Sequence, residues 1–340
     1  MAVAGRLSAP EWLRYPDPAT ELDVLRLTNP AFASGMTAPY LRQFGKRGDT
    51  LLYWSDRNGS RQVFQLDLKG GASHQISDAG ALDPRSIALT SDERAANYFD
   101  GPLLLETSLS TLSSRTLHTV PVGFTRTGLT QGFDGSLLFV ESRAGMGRIQ
   151  RTTRAGVPNT VLEVAGEIAW VIARPRVGQL LFRVGGDVSM VNFDGSGLKR
   201  LNLEAGLTGN AIWSPSGRSV VYLHIPEDPR ELISMREFLV AENTDKLVAK
   251  TSQFESVGSN ADSSVFVGAS RSRASAYVLI LLRVTRRELT LCEHRASDPT
   301  MVSPIFSPDS QSVLFCSDRH GSQAMYRLHV DKFVEQTAER

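Results

Sequence analysis

The six histidines of this 340-residue chain, His74, His118, His224, His294, His320 and His329, are the side chains best suited to metal binding or to proton transfer near neutral pH. None forms an H-x-H or H-x-x-x-H pair, the spacings that put two imidazoles on one face of a strand or helix. All fall in or beside strand-like text or hairpin turns, and read as ordinary strand and turn residues. The nucleophiles are as scattered. There is no G-x-S-x-G elbow, Walker loop or C-x-x-C. Cys292 and Cys316 stand singly in strand-like text and read as buried free thiols. Ser108 and Ser110 read as a hairpin turn, and SRSRAS at 270–275 as a solvated turn, with a basic contact patch as the alternative. FDGS at 133–136 and FDGSG at 193–197 lack the further acidic ligands of a calcium loop, which leaves turn chemistry. Asp56-Arg57 and Asp318-Arg319 occupy the same place in two matching phrases, so they read as residues that fold a repeat rather than as catalytic pairs.

The element that positions these residues is a phrase met seven times: a turn rich in Pro, Asp, Gly or Ser, then a short apolar run. The runs begin at Leu51, Ala96, Leu137, Leu180, Val220, Val265 and Val313, at intervals in the forties. Such a period built of short strands predicts a β-propeller with four antiparallel strands per blade, and seven copies fill a closed ring. SDRNGS at 55–60 leading into QVFQLDL, and SDRHGS at 317–322 leading into AMYRLHV, read as hairpins between second and third strands, with the Asp accepting local backbone N–H groups and the Gly taking a positive φ. Outer strands follow at 73–77, 115–120, 159–164, 198–203, 246–250 and 288–293. A seventh is missing after Val330, whereas VLRLT at 24–28 precedes the first full repeat. This strand is therefore expected to pair with 325–330 and close the ring, which removes two sheet edges. The reading divides the chain into an N-terminal arm (1–20), one propeller domain (21–330) and a tail (331–340). HIPEDPRELISMREFLVAENTD at 224–245 departs from the repeat, and its stretch after Pro229 is helix-compatible.

Composition narrows the function classes. With 41% hydrophobic residues, 21% charged and a net charge of +1, the chain has material for a large core and no basic field for a phosphate backbone, so nucleic acid is not an expected partner. No apolar stretch approaches 18 residues and the N-terminal text lacks a signal-peptide core, which gives the expectation of no membrane span and a cytoplasmic location.

WVIARPRVGQLLF, WSPSGRSVVYL, SNADSSVFVGAS and SPIFSPDSQSVLFCSDRHGSQAMY resemble, in order and spacing over residues 20–330, stretches of the oligogalacturonate lyases, seven-bladed propellers related to the TolB type that cleave pectin fragments by β-elimination. The resemblance implies a divalent cofactor of the Mn²⁺ type, held by three histidines and a glutamine, that binds the uronate carboxylate and acidifies the C5 proton. A separate His, helped by an Arg, acts around that proton. Position by position, the Gln and two of the metal His fall on Asp298, Met301 and Ser303, the third metal His on Ser256, the proton-abstracting His on Asn210 and the Arg near Asp187. Trp170 stands where the family places a channel-facing His.

Every member of that apparatus is thus replaced. Met sulfur is a poor ligand for a Mn²⁺-like ion, and Asn cannot act as a base near neutral pH. If Asp187, Asn210, Asp298 and Ser303 converge, they form an oxygen-lined site suited to Ca²⁺ or Mg²⁺ instead. Trp170, Asp187, Asn210, Trp213, Ser256, Asp298, Met301 and Ser303 are the expected lining of one channel mouth, with Trp213 assigned mainly to packing between blades. Two functions stay open: a lyase-like propeller, catalytically degenerate or not, that takes a small anionic sugar or oligogalacturonide; and a non-catalytic propeller of TolB or WD type that presents a face to a protein partner.

Overall fold

The computed structural model describes residues 4–153, 158–251 and 254–334. The first three residues of the arm and the tail beyond 334 lie outside that range. Seven antiparallel sheets form the blades, five of four strands and two of five. Their second strands, Thr50–Ser55, Ala95–Asp100, Leu137–Arg143, Gln179–Val184, Ser219–Ile225, Val265–Ser270 and Ser312–Ser317, are the seven apolar runs. No helix among the described residues is long and apolar enough to cross a membrane.

These runs are continuous rather than alternating because a blade is covered on both faces. Leu51 and Tyr53 enter the seam with blade 7, while Leu52 and Trp54 enter the seam with blade 2. Val313 and Phe315 likewise face blade 6, and Leu314 and Cys316 face blade 1. The core is accordingly a set of seams between neighbouring blades, each supplied by alternate residues of two sheets.

The ring closes through Asp23–Arg26, which pairs with Ala324–His329 in the register Val24↔Leu328, Leu25↔Arg327 and Arg26↔Tyr326. The chain before it adds further strands. Leu13–Pro16 pairs with Asp23–Arg26 and gives blade 7 a fifth strand, and Leu7–Ser8 pairs with Ser73–Gln75 to give blade 1 its fifth. The repeated Asp-Arg pairs fasten these additions. Arg57 holds Glu11 with both terminal nitrogens at 3.2 and 3.0 Å, and Arg319 lies 3.7 Å from Asp17 and over the ring of Tyr15. Their aspartates do not cap their own turns: Asp56 accepts from Ala33 N at 2.8 Å and Asp318 from Ser297 N at 2.8 Å, tying each hairpin to the segment that enters the inner strand. Gly59 and Gly321 do take positive φ.

The helix-compatible text after Pro229 is a strand. Ser234–Leu239 is the third strand of blade 5, paired Val221↔Glu237 with the second. Its apolar pair Met235 and Phe238 has helical spacing, but residues three apart on a strand face opposite ways, and the two enter different seams.

Both cysteines are free and buried, at 0% and 2% exposure, and burial pushes both thiols up from their ordinary range. The native protein should therefore give no colour with a disulfide reagent such as DTNB at pH 8, and both thiols should react in guanidinium. Reaction at the native rate of a free thiol would show that a blade opens locally.

Candidate functional site

Inner strands run along the channel, and three of them are broken by β-bulges at the positions singled out in the sequence. The register shifts between Ile168 and Trp170 in blade 4, between Thr208 and Ala211 in blade 5, and between Phe254 and Ser256 in blade 6. A bulge re-aims its side chain, and here the shifts turn Trp170, Asn210 and Ser256 towards one cavity of about 350 Å³ at the N-terminal end of the inner strands. Ser303 completes that set, and Arg85, Arg183 and Tyr40 line the same space.

The polar groups of the cavity are unequally used. Asn210 Oδ1 accepts from Val257 N at 3.0 Å, which bridges blades 5 and 6 and leaves its amide nitrogen without a protein acceptor among the described residues. Ser256 Oγ is buried without a partner. Arg183 Nη1 donates to Thr208 O at 2.9 Å and its guanidinium lies 5.9 Å from the Trp170 ring centre, but its Nε is buried and unpaired. Arg85 is exposed and has no carboxylate partner among the described residues; the nearby Asp83 is taken by Arg126 at 2.6 Å. Glu255, the acid on the wall, is held by Arg271 at 3.0 Å. Burial pushes the Tyr40 phenol up, against the opposing pull of Arg85. The surplus charge of the cavity is positive.

The other named residues lie elsewhere. Asp187 is exposed at a hairpin of blade 4 and pairs with Arg200 at 2.6 Å. Asp298 is exposed and caps the 3-10 turn Pro299–Met301, accepting from Thr300 N at 2.9 Å. Met301 packs on the seam between blades 6 and 7 and lines a neighbouring cavity of about 180 Å³ with Met36 and Cys316. Trp213 is 7% exposed, packs in the seam of blades 4 and 5, and borders the opposite mouth. The four-oxygen site therefore does not assemble: Asn210 and Ser303 line one cavity, while Asp187 and Asp298 are engaged in an ion pair and a cap. Nor do Ser256, Asp298, Met301 and Ser303 fit a Mn²⁺-type ion, since hydroxyls and a thioether supply no charge and the carboxylate is turned to a helix end.

Sequence reading missed Arg183, Arg85 and Tyr40. Arg183 had a signal in the text, being the charged residue that interrupts the apolar run QLLFRV. Tyr40 had none, because it comes from an irregular excursion. Blade 1 pairs Gly35↔Trp54 and next Phe44↔Leu51, so residues 36–43 leave the inner strand and bulge into the channel. Ala38 and Leu41 pack there against Ala88 of blade 2, and Leu89 N and Leu52 N donate to the carbonyls of Arg42 and Gln43. Pro39 and Tyr40, with Ile172 and Ile212, form a waist shared by the cavity described above and a second one at the opposite mouth.

No family model matches the chain. It is 22% identical over 94% of its length to a curated oligogalacturonide lyase of Pectobacterium atrosepticum, covering 96% of that protein. Among solved structures, it superposes with a TM-score of 0.92 on an oligogalacturonate lyase in complex with manganese, at 20% identity, covering 98% of this chain and 100% of that one. It superposes with a TM-score of 0.89 on an oligogalacturonate lyase from Vibrio parahaemolyticus, at 20% identity and 96% and 99% coverage. These superpositions establish the seven-bladed ring.

Proposed function

We propose that this chain, an oligogalacturonide lyase homologue, binds a short acidic sugar in the cavity of Trp170, Asn210 and Arg183 without a metal, and does not carry out metal-assisted β-elimination. The observation that carries the reading is the Arg183 guanidinium, which lines the cavity with no carboxylate partner among the described residues. A guanidinium presents a fork that fits a carboxylate, and its charge is worth most where water is scarce. Arg183 then holds the carboxylate, Arg85 adds positive field at the mouth, and the Asn210 amide meets sugar hydroxyls. The Trp170 indole fixes the guanidinium plane and offers apolar surface to the sugar ring. Elimination needs a base at C5. Asn210 cannot accept the proton, and the Tyr40 phenol is kept protonated by burial.

Calorimetry with digalacturonate in a chelator-containing buffer tests this. Saturable binding is expected, with cellobiose bound much more weakly. Arg183→Ala should weaken digalacturonate by about tenfold or more, as expected for a hydrogen bond to a charged group, and Trp170→Ala should weaken it without changing the melting curve. With added Mn²⁺, no rise in absorbance from unsaturated uronate is expected. Equal affinity for the neutral disaccharide would remove the carboxylate from the reading. A metal-dependent absorbance rise that chelator abolishes would restore the lyase.

A further inference from the structure

Beside the cavity of Trp170 and Asn210 lies the smaller one of about 180 Å³, and the two share Pro39, Arg85, Thr300 and Ser303 as lining. They are two lobes of one cleft at the same mouth, with the exposed Arg85 and Thr300 on the common wall. The lobes differ in character. The larger holds the amide of Asn210, the guanidinium of Arg183 and the single acid of the cleft, Glu255. The smaller adds Met36, Trp54, Pro84 and Met301, and no charged residue of its own. Its own polar side chains are engaged: Thr37 Oγ1 accepts from Ile87 N at 3.1 Å, and the Gln323 side chain bonds the Cys316 thiol.

The apolar walls of the smaller lobe are within reach of a ligand, because Met36, Pro39, Pro84 and Met301 are half-buried and keep accessible surface. A dry apolar cavity of about 150 Å³ is enough to take one benzene ring, so this lobe has room for a single six-membered ring. A second sugar placed there would turn hydroxyls towards thioethers and proline rings and lose the hydrogen bonds it made in water. An aryl ring loses none, and methionine sulfur makes favourable contacts with its edge.

We propose that the ligand of this cleft is a uronide with an aryl aglycone. The uronate carboxylate meets Arg183 in the larger lobe, and the ring, joined through the anomeric oxygen, lies against Met36 and Met301 in the smaller one. The inference rests on the acidic-sugar reading above and adds what the sugar is joined to.

Calorimetry with the full-length protein compares phenyl galactosiduronate with methyl galactosiduronate, which keeps the acid and the anomeric bond and lacks the ring. The phenyl compound should bind about tenfold or more tighter, as expected for burying one small ring. Met301→Gln, similar in length but polar, should remove most of that advantage and leave the methyl compound unchanged, whereas Arg183→Ala should weaken both compounds alike. A wild-type crystal grown with phenyl galactosiduronate should place the ring against Met36 and Met301, and this measurement decides the matter if Met301→Gln does not fold. Equal affinity for the two uronides, an undiminished advantage in Met301→Gln, or a crystal with the ring in solvent would each overturn the proposal while leaving Arg183-dependent binding of the methyl compound intact. Binding of the methyl compound that is the same in wild type and Arg183→Ala, or no binding of either compound, would instead remove the acidic-sugar reading and this proposal with it.

Discussion

Deleting residues 1–28 should abolish the native ring rather than merely loosen it. The deletion removes the outer strand Asp23–Arg26 and its neighbour Leu13–Pro16, and so strips blade 7 to its inner three strands and leaves Ala324–His329 as an unpaired edge. It also removes Val24 and Leu27, at 0% and 1% exposure, from the two seams on either side of that blade. Each such side chain contributes about 2 kcal/mol by burial. The loss of the Leu27 N to Met325 O bond and of Thr28 Oγ, which accepts from Met325 N at 3.0 Å, adds to this. The expected product elutes as aggregate and shows no cooperative melt, because the exposed edge is a template for pairing between chains. Val24→Asp, which buries one unpaired charge at the same seam, should cost about 3 kcal/mol or more. A truncated chain that elutes as a monomer with the parent melting curve would mean that the ring closes without its N-terminal strand.

Glu141→Ala should be a strongly damaging truncation of a buried charge on the second strand of blade 3. The side chain of Glu141 is fully buried, accepts from His118 Nε2 of blade 2 at 2.8 Å, and takes both Arg148 Nε and Nη2 on its other oxygen at 2.9 and 2.7 Å. Burial pushes its carboxyl up, but the bonds from His118 and Arg148 outweigh this and hold it below its ordinary range. Removing it strands a guanidinium and an imidazole in a seam, at a cost of about 3–5 kcal/mol, which a denaturant titration reads directly. Glu141→Gln keeps one acceptor oxygen, which can still take Arg148, and should cost less. The sign of the pH effect follows from the lowered carboxyl. Its contribution is complete above the unfolded carboxylate range and fades as pH falls through the folded value, so the gap between parent and Glu141→Ala should close in strong acid. A gap that is constant from neutral pH to acid would assign the loss to packing alone.

The ring was legible in the sequence because the second strand of every blade is buried on both faces, so each repeat announces itself as an apolar run after a turn. Its closure was legible because one outer strand was missing at one end and present at the other. What failed were local departures from period two. Met235 and Phe238 imitate a helix face while serving two seams, and the bulges at Trp170, Asn210 and Ser256 leave no mark in composition. The positions carried over from the oligogalacturonate lyases marked part of the cavity, through Trp170, Asn210, Ser256 and Ser303. They did not mark the guanidinium, which comes from Arg183 on a second strand. Aspartates were the least legible residues: Asp187, Asp56 and Asp318 all have structural partners that lie outside the reach of a local reading.

The excursion of residues 36–43 also decides how anything can travel through the molecule. Pro39 and Tyr40 line both cavities, so the two mouths of the propeller share a waist built by blades 1, 4 and 5. A molecule that enters the cavity of Trp170 and Asn210 meets Pro39 and Tyr40 at the waist. That contact comes from blade 1, which contributes no charged side chain to the cavity.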